Sequence, residues 1–375
     1  MLKVLTVFGT RPEAIKMAPL IAELERHPDV IDNRNCLTGQ HKDMVASLIE
    51  LFGIRADYQL DLMRENQTLE YITTTVLTEV SRILREEKFD LLLVQGDTTT
   101  SMAAALAAFY AGVKIGHVEA GLRTFDKHHP YPEEANRKMI DAVADLFFAH
   151  SDKARQHLLN EGIAASAIAV TGNTVIDALL DVSARPFTLA GSPLEGIAFD
   201  SKRVVLVTAH RRESFGGPFE SICKGLAQLA RKYADDIELV YPVHRNPNVR
   251  AVVNQYLADI PNVRLIDPLD YLPLVQLMKR AYLVLTDSGG LQEEAPSLGK
   301  PVLVLRKVTE RQEGVEAGTL KLVGMDAADI VREASRLLDD EAAYRAMATR
   351  ANPYGNGTAS IQIVQKILAE LGPRG

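Results

Sequence analysis

Short apolar, β-branched runs recur along the chain and alternate with longer segments whose apolar positions return at helical spacing. In the first half the runs fall at 3–8, 35–38, 90–95, 114–117 and 146–149, with helices expected over 12–26, 69–86 and 99–111. The pattern starts afresh at 203–208 and continues through 238–241, 263–266, 282–286 and 301–305. Helices are expected between those runs at 218–233, 248–258, 272–279 and 291–298. Two more follow Asp326, then NPYGNG (352–357) breaks the chain before a last helix over 359–371. Strands alternating with helices in this way build a parallel sheet flanked by helices. The predicted fold is α/β, with two Rossmann-like doubly wound domains, 1–182 and 202–356. The Pro-, Gly- and Ser-rich stretch 183–201 reads as their linker, and helix 359–371 is placed to pack back on the first domain. Such domains, facing one another across a central cleft, would bind ligands at the carboxyl ends of their strands.

Composition narrows the function. The chain has 375 residues, 47% of them hydrophobic and 24% charged, as in an ordinary globular protein. A formal net charge of −7 argues against general nucleic-acid binding, which relies on a broad basic surface to displace counterions, so no nucleic-acid partner is expected. Cys36 and Cys223, far apart in sequence, form no disulfide framework or zinc pattern and read as buried free thiols. No apolar run is long enough to span a bilayer, and the N-terminal MLKVLTVFGTRPE turns too soon for a signal-peptide core. A cytoplasmic protein without a membrane partner is expected.

Candidate chemistry collects where predicted strands end. In GTRPEAIKMAPL (9–20), Arg11 and Lys16 sit at a turn and one helical turn beyond it, either as an anion site at a helix N-terminus or as solvated charges. TDSGGLQEEAPSLGKP (286–301) opens a helix with Ser288, Gly289 and Gly290, where backbone N–H groups can approach a diphosphate; Glu293 or Glu294 could meet ribose hydroxyls. The rival reading is a plain helix cap. VTAHRRESFGG (207–217) brings His210, Arg211 and Arg212 to a strand end, and YPVHRNP (241–247) repeats the arrangement with His244. Asp97, in VQGDTTTS, is placed equally to cap a helix or to act as an acid or base. Neither GxGxxG nor a Walker sequence occurs, which argues against a dinucleotide dehydrogenase and a P-loop ATPase. The stretch HVEAGLRTFDKHHPYPEEANR (117–137) crowds Glu119, Glu133, Glu134 and Arg137 with His128 and His129. Its spacing matches no zinc pattern, so no metal is assigned. Glu134, His128 and His129 are assigned to the helix start and loop surface.

These stretches together resemble the non-hydrolysing UDP-N-acetylglucosamine 2-epimerases. FGTRPEAIKMAPL, GDTTTSMAAALAAFY, GHVEAGLRT, PEEANR, TGNTVIDALL, HRRESFG, YPVHRNPNVR, TDSGGLQEEAPSLGKPVLVLR and NPYGNG look like that family's blocks, in order from residue 8 to 357. The resemblance implies a GT-B-like fold, a homodimer, and reversible conversion of UDP-GlcNAc to UDP-ManNAc without a cofactor. It implies catalytic roles for Asp97, Glu119, Glu133 and His210, and substrate binding by Arg11, Lys16, Arg137, Ser288, Gly289, Gly290, Glu294 and Arg311. Some members bind a second UDP-GlcNAc as an activator; the matching positions would be Gln40, His41, Arg211 and His244, with Asn66 where an arginine is expected. Leu269 and Leu274 stand where members carry Gln and Phe near the uracil.

The C2 hydrogen of such a sugar is not next to a carbonyl, so direct deprotonation is unfavourable. The route implied by the family expels UDP first or concurrently, leaving 2-acetamidoglucal, and adds it back after protonation on the other face. One side chain rarely reaches both faces, which is a reason to crowd several carboxylates. The rival readings are a GT-B glycosyltransferase, a hydrolysing 2-epimerase and a non-catalytic nucleotide-sugar sensor. The acidic cluster expected near the anomeric carbon, and a resemblance that covers nearly the whole chain, favour the epimerase.

Overall fold

The computed structural model describes residues 1–375 apart from 40, 41, 65, 66, 212, 213 and 373–375, with 42–44 described by their backbone alone. It divides into two compact units, Met1–Ala178 with Tyr354–Gly375, and Leu179–Pro353.

Unit 1 is built on seven parallel strands: β1 (Leu2–Phe8), β2 (Ile31–Leu37), β3 (Tyr58–Gln59), β4 (Leu91–Gln95), β5 (Lys114–Ala120), β6 (Leu146–Ala149) and β7 (Ile168–Val170). Their order across the sheet is 3-2-1-4-5-6-7. Unit 2 has six parallel strands: β8 (Arg203–Thr208), β9 (Ile237–Pro242), β10 (Val263–Ile266), β11 (Leu283–Thr286), β12 (Val302–Val304) and β13 (Leu320–Leu322), in the order 10-9-8-11-12-13. Both are doubly wound. The chain moves outward from the first strand of each unit, then returns to lay the fourth beside it, so helices leave β1 and β4, or β8 and β11, on opposite faces. That reversal opens a crevice at the carboxyl ends of the two strands.

The strand sequences explain their placement. LLLVQ of β4 is buried at every position, because helices cover both faces of the sheet. One covering helix, Thr99–Ala111, buries Ala103, Ala104, Ala105, Ala107 and Ala108, and packs along helix Leu69–Glu86. Alanine suits that seam, since it favours helix and lets two helices approach closely. Fully burying a leucine or valine in such a core contributes about 1.5–3 kcal/mol.

The structure differs from the sequence reading at identifiable places. Strands β3, β7 and β13, of two or three residues, lie at or beside sheet edges and are too short to show a period. Strand β5 runs on to Ala120, so Glu119 lies within it rather than after it. The helix expected over 291–298 is helix Gly289–Glu294 followed by a tighter turn, Ala295–Leu298, that contains Pro296. The stretch 183–201 belongs to unit 2 instead of linking freely. Leu194 and Ile197 are buried, Glu238 accepts the Ala198 N–H at 2.6 Å, and Arg264 donates to the Gly196 carbonyl at 2.7 Å. The division itself falls inside helix Thr174–Ala184.

Helix Ala359–Leu371 belongs to unit 1, where it lies against helix Arg11–Glu25. Asp177 accepts the Ser360 N–H at 2.8 Å and the Ala359 N–H at 3.3 Å, satisfying its first turn. Among the described residues no helix is long and apolar enough to cross a membrane.

Gly121, just past β5, has φ +83°, and a Cβ there would lie 2.3 Å from the Ala154 carbonyl oxygen. Gly121→Ala is expected to lower the unfolding free energy by about 2 kcal/mol or more, read as a lower urea midpoint at unchanged slope.

Candidate active site

The two turns beside the switch point of unit 1 are joined by one side chain that the sequence reading passed over. Glu13 is buried in the first turn of helix Arg11–Glu25. Its Oε2 accepts the N–H groups of Gly9 (3.1 Å) and Thr10 (2.8 Å), at the turn after β1. Its Oε1 accepts the hydroxyls of Thr98 (2.6 Å) and Ser101 (2.9 Å), at the turn after β4. A single carboxylate therefore ties together the two turns that flank the switch point. A glutamate three residues after Thr10 is a capping-box spacing, the signal from which it could have been found.

The turn after β4 carries Asp97. Thr98, not Asp97, caps the following helix, accepting the Ser101 N–H at 3.0 Å. The Asp97 carboxylate instead receives Arg137 through Nε (2.9 Å) and Nη2 (2.6 Å), and its carbonyl accepts from Asn136 (2.9 Å). Behind this turn lies a buried ionic array absent from the sequence reading. His117 contacts the Gly96 carbonyl through Nε2 (2.7 Å) and Asp141 through Nδ1 (2.5 Å). Arg123 reaches the other Asp141 oxygen at 2.5 Å and Glu161 at 2.6 Å. Burial pushes the Asp141 carboxyl up, but His117 and Arg123 outweigh it and hold the group below its ordinary range.

Glu119 is aimed by an irregularity in β5. The register with β6 shifts between Val118 and Ala120, and Glu119 has φ +65°. A bulge re-aims the side chain it displaces, and bulges recur beside functional sites. A left-handed conformation costs a non-glycine residue about 1–3 kcal/mol. The carboxylate is paired with Lys16 and accepts from Gln95. Glu133 opens helix Glu133–Val143; its Oε2 is buried and has no hydrogen-bond partner among the described residues. Glu134 lies in the first turn of that helix, as expected, but it is fully buried there: it accepts the N–H groups of Thr124 (3.0 Å) and Phe125 (3.1 Å), and pairs with Arg137 (3.0 Å). It thereby fastens the 122–132 loop to the arginine that holds Asp97. His128 and His129 are exposed.

Unit 2 repeats the device with Asp287. This fully buried carboxylate follows β11, and its Oδ2 accepts the N–H groups of His210 (2.7 Å) and Arg211 (2.8 Å) after β8. Thr208 and Thr286 share a hydroxyl hydrogen bond of 2.6 Å beneath it, and Thr286 accepts the Ser288 N–H at 2.9 Å. The His210 ring stacks on His244, with centroids 5.0 Å apart and planes 5° from parallel. Burial lowers the His210 pKa, with Asp287 opposing and His244 and Arg211 reinforcing.

Ser288, Gly289 and Gly290 lead into helix Gly289–Glu294. A Cβ on Gly289 would come 3.1 Å from the Arg311 guanidinium, so glycine lets that cation lie against the helix start. Arg311 pairs with Glu293 at 2.7 Å and Glu310 at 3.4 Å. Burial pushes the Glu310 carboxyl up, yet Arg311 and Arg306 hold it down to about 2. Glu294 accepts from the Tyr271 hydroxyl at 2.7 Å.

The predicted residues thus gather at strand ends within each unit. Arg11, Lys16, Asp97, Glu133 and Arg137 follow β1, β4 and β5, and Glu119 lies next to last in β5 itself; His210, Arg211, His244, Ser288, Gly289, Gly290, Glu294 and Arg311 collect beyond β8, β9, β11 and β12. Gln40, His41, Asn66 and Arg212 lie outside the described residues. No group of three His, Cys, Asp or Glu side chains among the described residues is arranged to hold a metal ion.

Two doubly wound α/β units carrying charged turns at their switch points define an enzyme of GT-B-like fold. The sequence model of UDP-N-acetylglucosamine 2-epimerase matches residues 22–368. The chain is 52% identical to the Escherichia coli K12 UDP-N-acetylglucosamine 2-epimerase over 98% of each chain, and 52% identical to that of Yersinia pestis with the same coverage. Among solved structures, the Neisseria meningitidis UDP-GlcNAc 2-epimerase bound to UDP-GlcNAc superimposes with a TM-score of 0.90 at 46% identity, covering 98% of this chain and 100% of that one. The Methanocaldococcus jannaschii enzyme in complex with UDP-GlcNAc and UDP gives 0.79 at 32% identity, with the same coverage. The chain belongs to the UDP-N-acetylglucosamine 2-epimerase family.

Replacing Glu13 by alanine removes the acceptor of four donors, three of them in buried hydrogen bonds. Glu13→Ala is expected to lower the unfolding free energy by about 3 kcal/mol in a urea titration, whereas Glu13→Gln, which keeps an acceptor for the backbone donors, loses less.

Proposed function

We propose that the chain interconverts UDP-GlcNAc and UDP-ManNAc by expelling UDP and adding it back to a 2-acetamidoglucal. The sugar C1–O bond breaks and its electron pair goes to the β-phosphate oxygen. The C2 proton passes to a carboxylate, and the C2–H electron pair becomes the C1=C2 double bond. Return of a proton to the opposite face of C2 and of UDP to C1 completes the epimerisation, with no net oxidation. The substrate assignment draws on the Neisseria meningitidis relative, whose structure holds UDP-GlcNAc, and on the Methanocaldococcus jannaschii one in complex with UDP-GlcNAc and UDP.

The observation that carries the reading is the set of three carboxylates at neighbouring strand ends of unit 1, each in a different setting. Asp97 is held by Arg137, Glu119 is paired with Lys16, and Glu133 keeps a buried oxygen without a partner. Proton removal and delivery on two faces of one carbon calls for groups that differ in this way. In unit 2, His210 and the Ser288–Gly290 turn supply donors for the charge that grows on the departing phosphate, and losing one such donor costs about 2.7–4 kcal/mol of transition-state stabilisation.

The same reading makes the protein a cytoplasmic homodimer. Phe109 and Tyr110 at the end of helix Thr99–Ala111, and Met139 on the next helix, are large exposed apolar side chains suited to a subunit interface. Phe109→Glu with Tyr110→Glu is expected to halve the mass measured by light scattering after gel filtration; an unchanged mass would reject this surface as the interface.

Incubation with UDP-GlcNAc in D2O is expected to yield UDP-ManNAc carrying deuterium at C2 by proton NMR. Asp97→Asn, Glu119→Gln and Glu133→Gln should each slow exchange by about 100-fold or more. Wild-type exchange in all three would reject the assignment of proton transfer to these groups.

A further inference from the structure

Asp287 uses only one of its two oxygens. Oδ2 holds the His210 and Arg211 N–H groups, whereas Oδ1 is equally buried and no donor among the described residues bonds to it. Half-satisfied buried carboxylates are uncommon, because the lost hydration is not replaced. The His210 Nδ1 atom stands 3.8 Å from Oδ1, about 0.6 Å beyond the upper end of the usual N–H···O range. The ring meets Asp287 on one side and His244 across its face, with Arg211 next to it in the chain. Partial burial of this ring, which is still 42% exposed, lowers its pKa, with Asp287 opposing and His244 and Arg211 reinforcing.

We propose that Asp287 is the positioning residue of His210: when a nucleoside diphosphate docks on this turn, the imidazole closes onto Oδ1, takes up a proton, and presents Nε2–H to the phosphate oxygen that leaves the sugar. The inference rests on the reading that unit 2 receives UDP. A carboxylate can only accept, so the atom facing it must be Nδ1–H; a second N–H towards phosphate then requires the imidazolium. The diphosphate charge offsets the repulsion of Arg211 and His244 that disfavours protonation without ligand. The proton comes from solvent with the nucleotide and stays on the ring. His210 therefore gives the departing oxygen a charge-assisted hydrogen bond, with no proton transferred.

Calorimetry of UDP binding near pH 7.5, in two buffers of different ionisation enthalpy, is expected to report uptake of about one proton by the wild type. Asp287→Asn retains an acceptor for the two backbone N–H groups but turns a donor towards Nδ1. It should lose the uptake, weaken UDP binding about tenfold and lower kcat about 100-fold. His210→Asn should lose the uptake as well, and adding Asp287→Asn to it should cost nothing more, because both act through one ring. A purely structural aspartate would cost as much with His210 absent as with it present. Epimerisation and UDP binding without proton uptake, or independent losses in the double variant, would overturn this role for Asp287 alone. No UDP binding by the wild type would overturn both it and the reading on which it rests.

Discussion

One buried carboxylate bridging two turns is the constraint on which each unit depends. A doubly wound sheet opens a crevice where strand order reverses, and the turns on its two sides belong to distant segments of chain. Glu13 joins the turns after β1 and β4 with four hydrogen bonds, and Asp287 joins those after β8 and β11 with two. Backbone N–H groups at the ends of strands and the starts of helices are otherwise unsatisfied donors. An ionised acceptor meets that need more strongly than a neutral one, and because it is fully buried it is not loosened by solvent or salt. The result is a pair of turns held to a fixed spacing, from which Arg11, Asp97, His210 and Ser288 project.

Around these staples the charges are arranged in layers. In unit 1 the innermost layer is His117, Asp141 and Arg123, which supports the Gly96 carbonyl and so the backbone beneath Asp97. Arg137 forms the next, joining Asp97 to Glu134, and Glu134 holds the Thr124–Phe125 backbone. Buried ion pairs of this kind add little net stability, because desolvation offsets much of the attraction, but removing one partner is costly. Their value is geometric. They keep a loop that carries exposed histidines attached to the residues beside the sheet.

Strain is placed where the carboxylates meet the sheet. Glu119 adopts a left-handed conformation inside a buried strand, and the bulge it makes turns its side chain towards Lys16. Gly121, two residues on, lies so close to the Ala154 carbonyl that any side chain would collide. A regular strand would have pointed Glu119 along the usual alternation, so the irregularity is what lets it join Lys16.

The sequence by itself determined the architecture. Buried strands are continuous apolar runs and the helices between them repeat at their own period, so alternation, duplication of the theme and the strand ends bearing Arg11, Asp97, His210 and Ser288 can all be read along the line. Edge strands β3, β7 and β13 escaped because two or three residues carry no period. Tertiary structure alone decided which of the many acidic residues act together. Glu134 beside Glu133 looks like another helix-start acid, and Asp287 looks like a turn residue, until long-range pairing buries them against donors far away in sequence. Periodicity reports which side of an element faces the core; it holds no information on what a buried carboxylate will find there, because its partners come from other strands and are brought within reach only by the winding of the sheet.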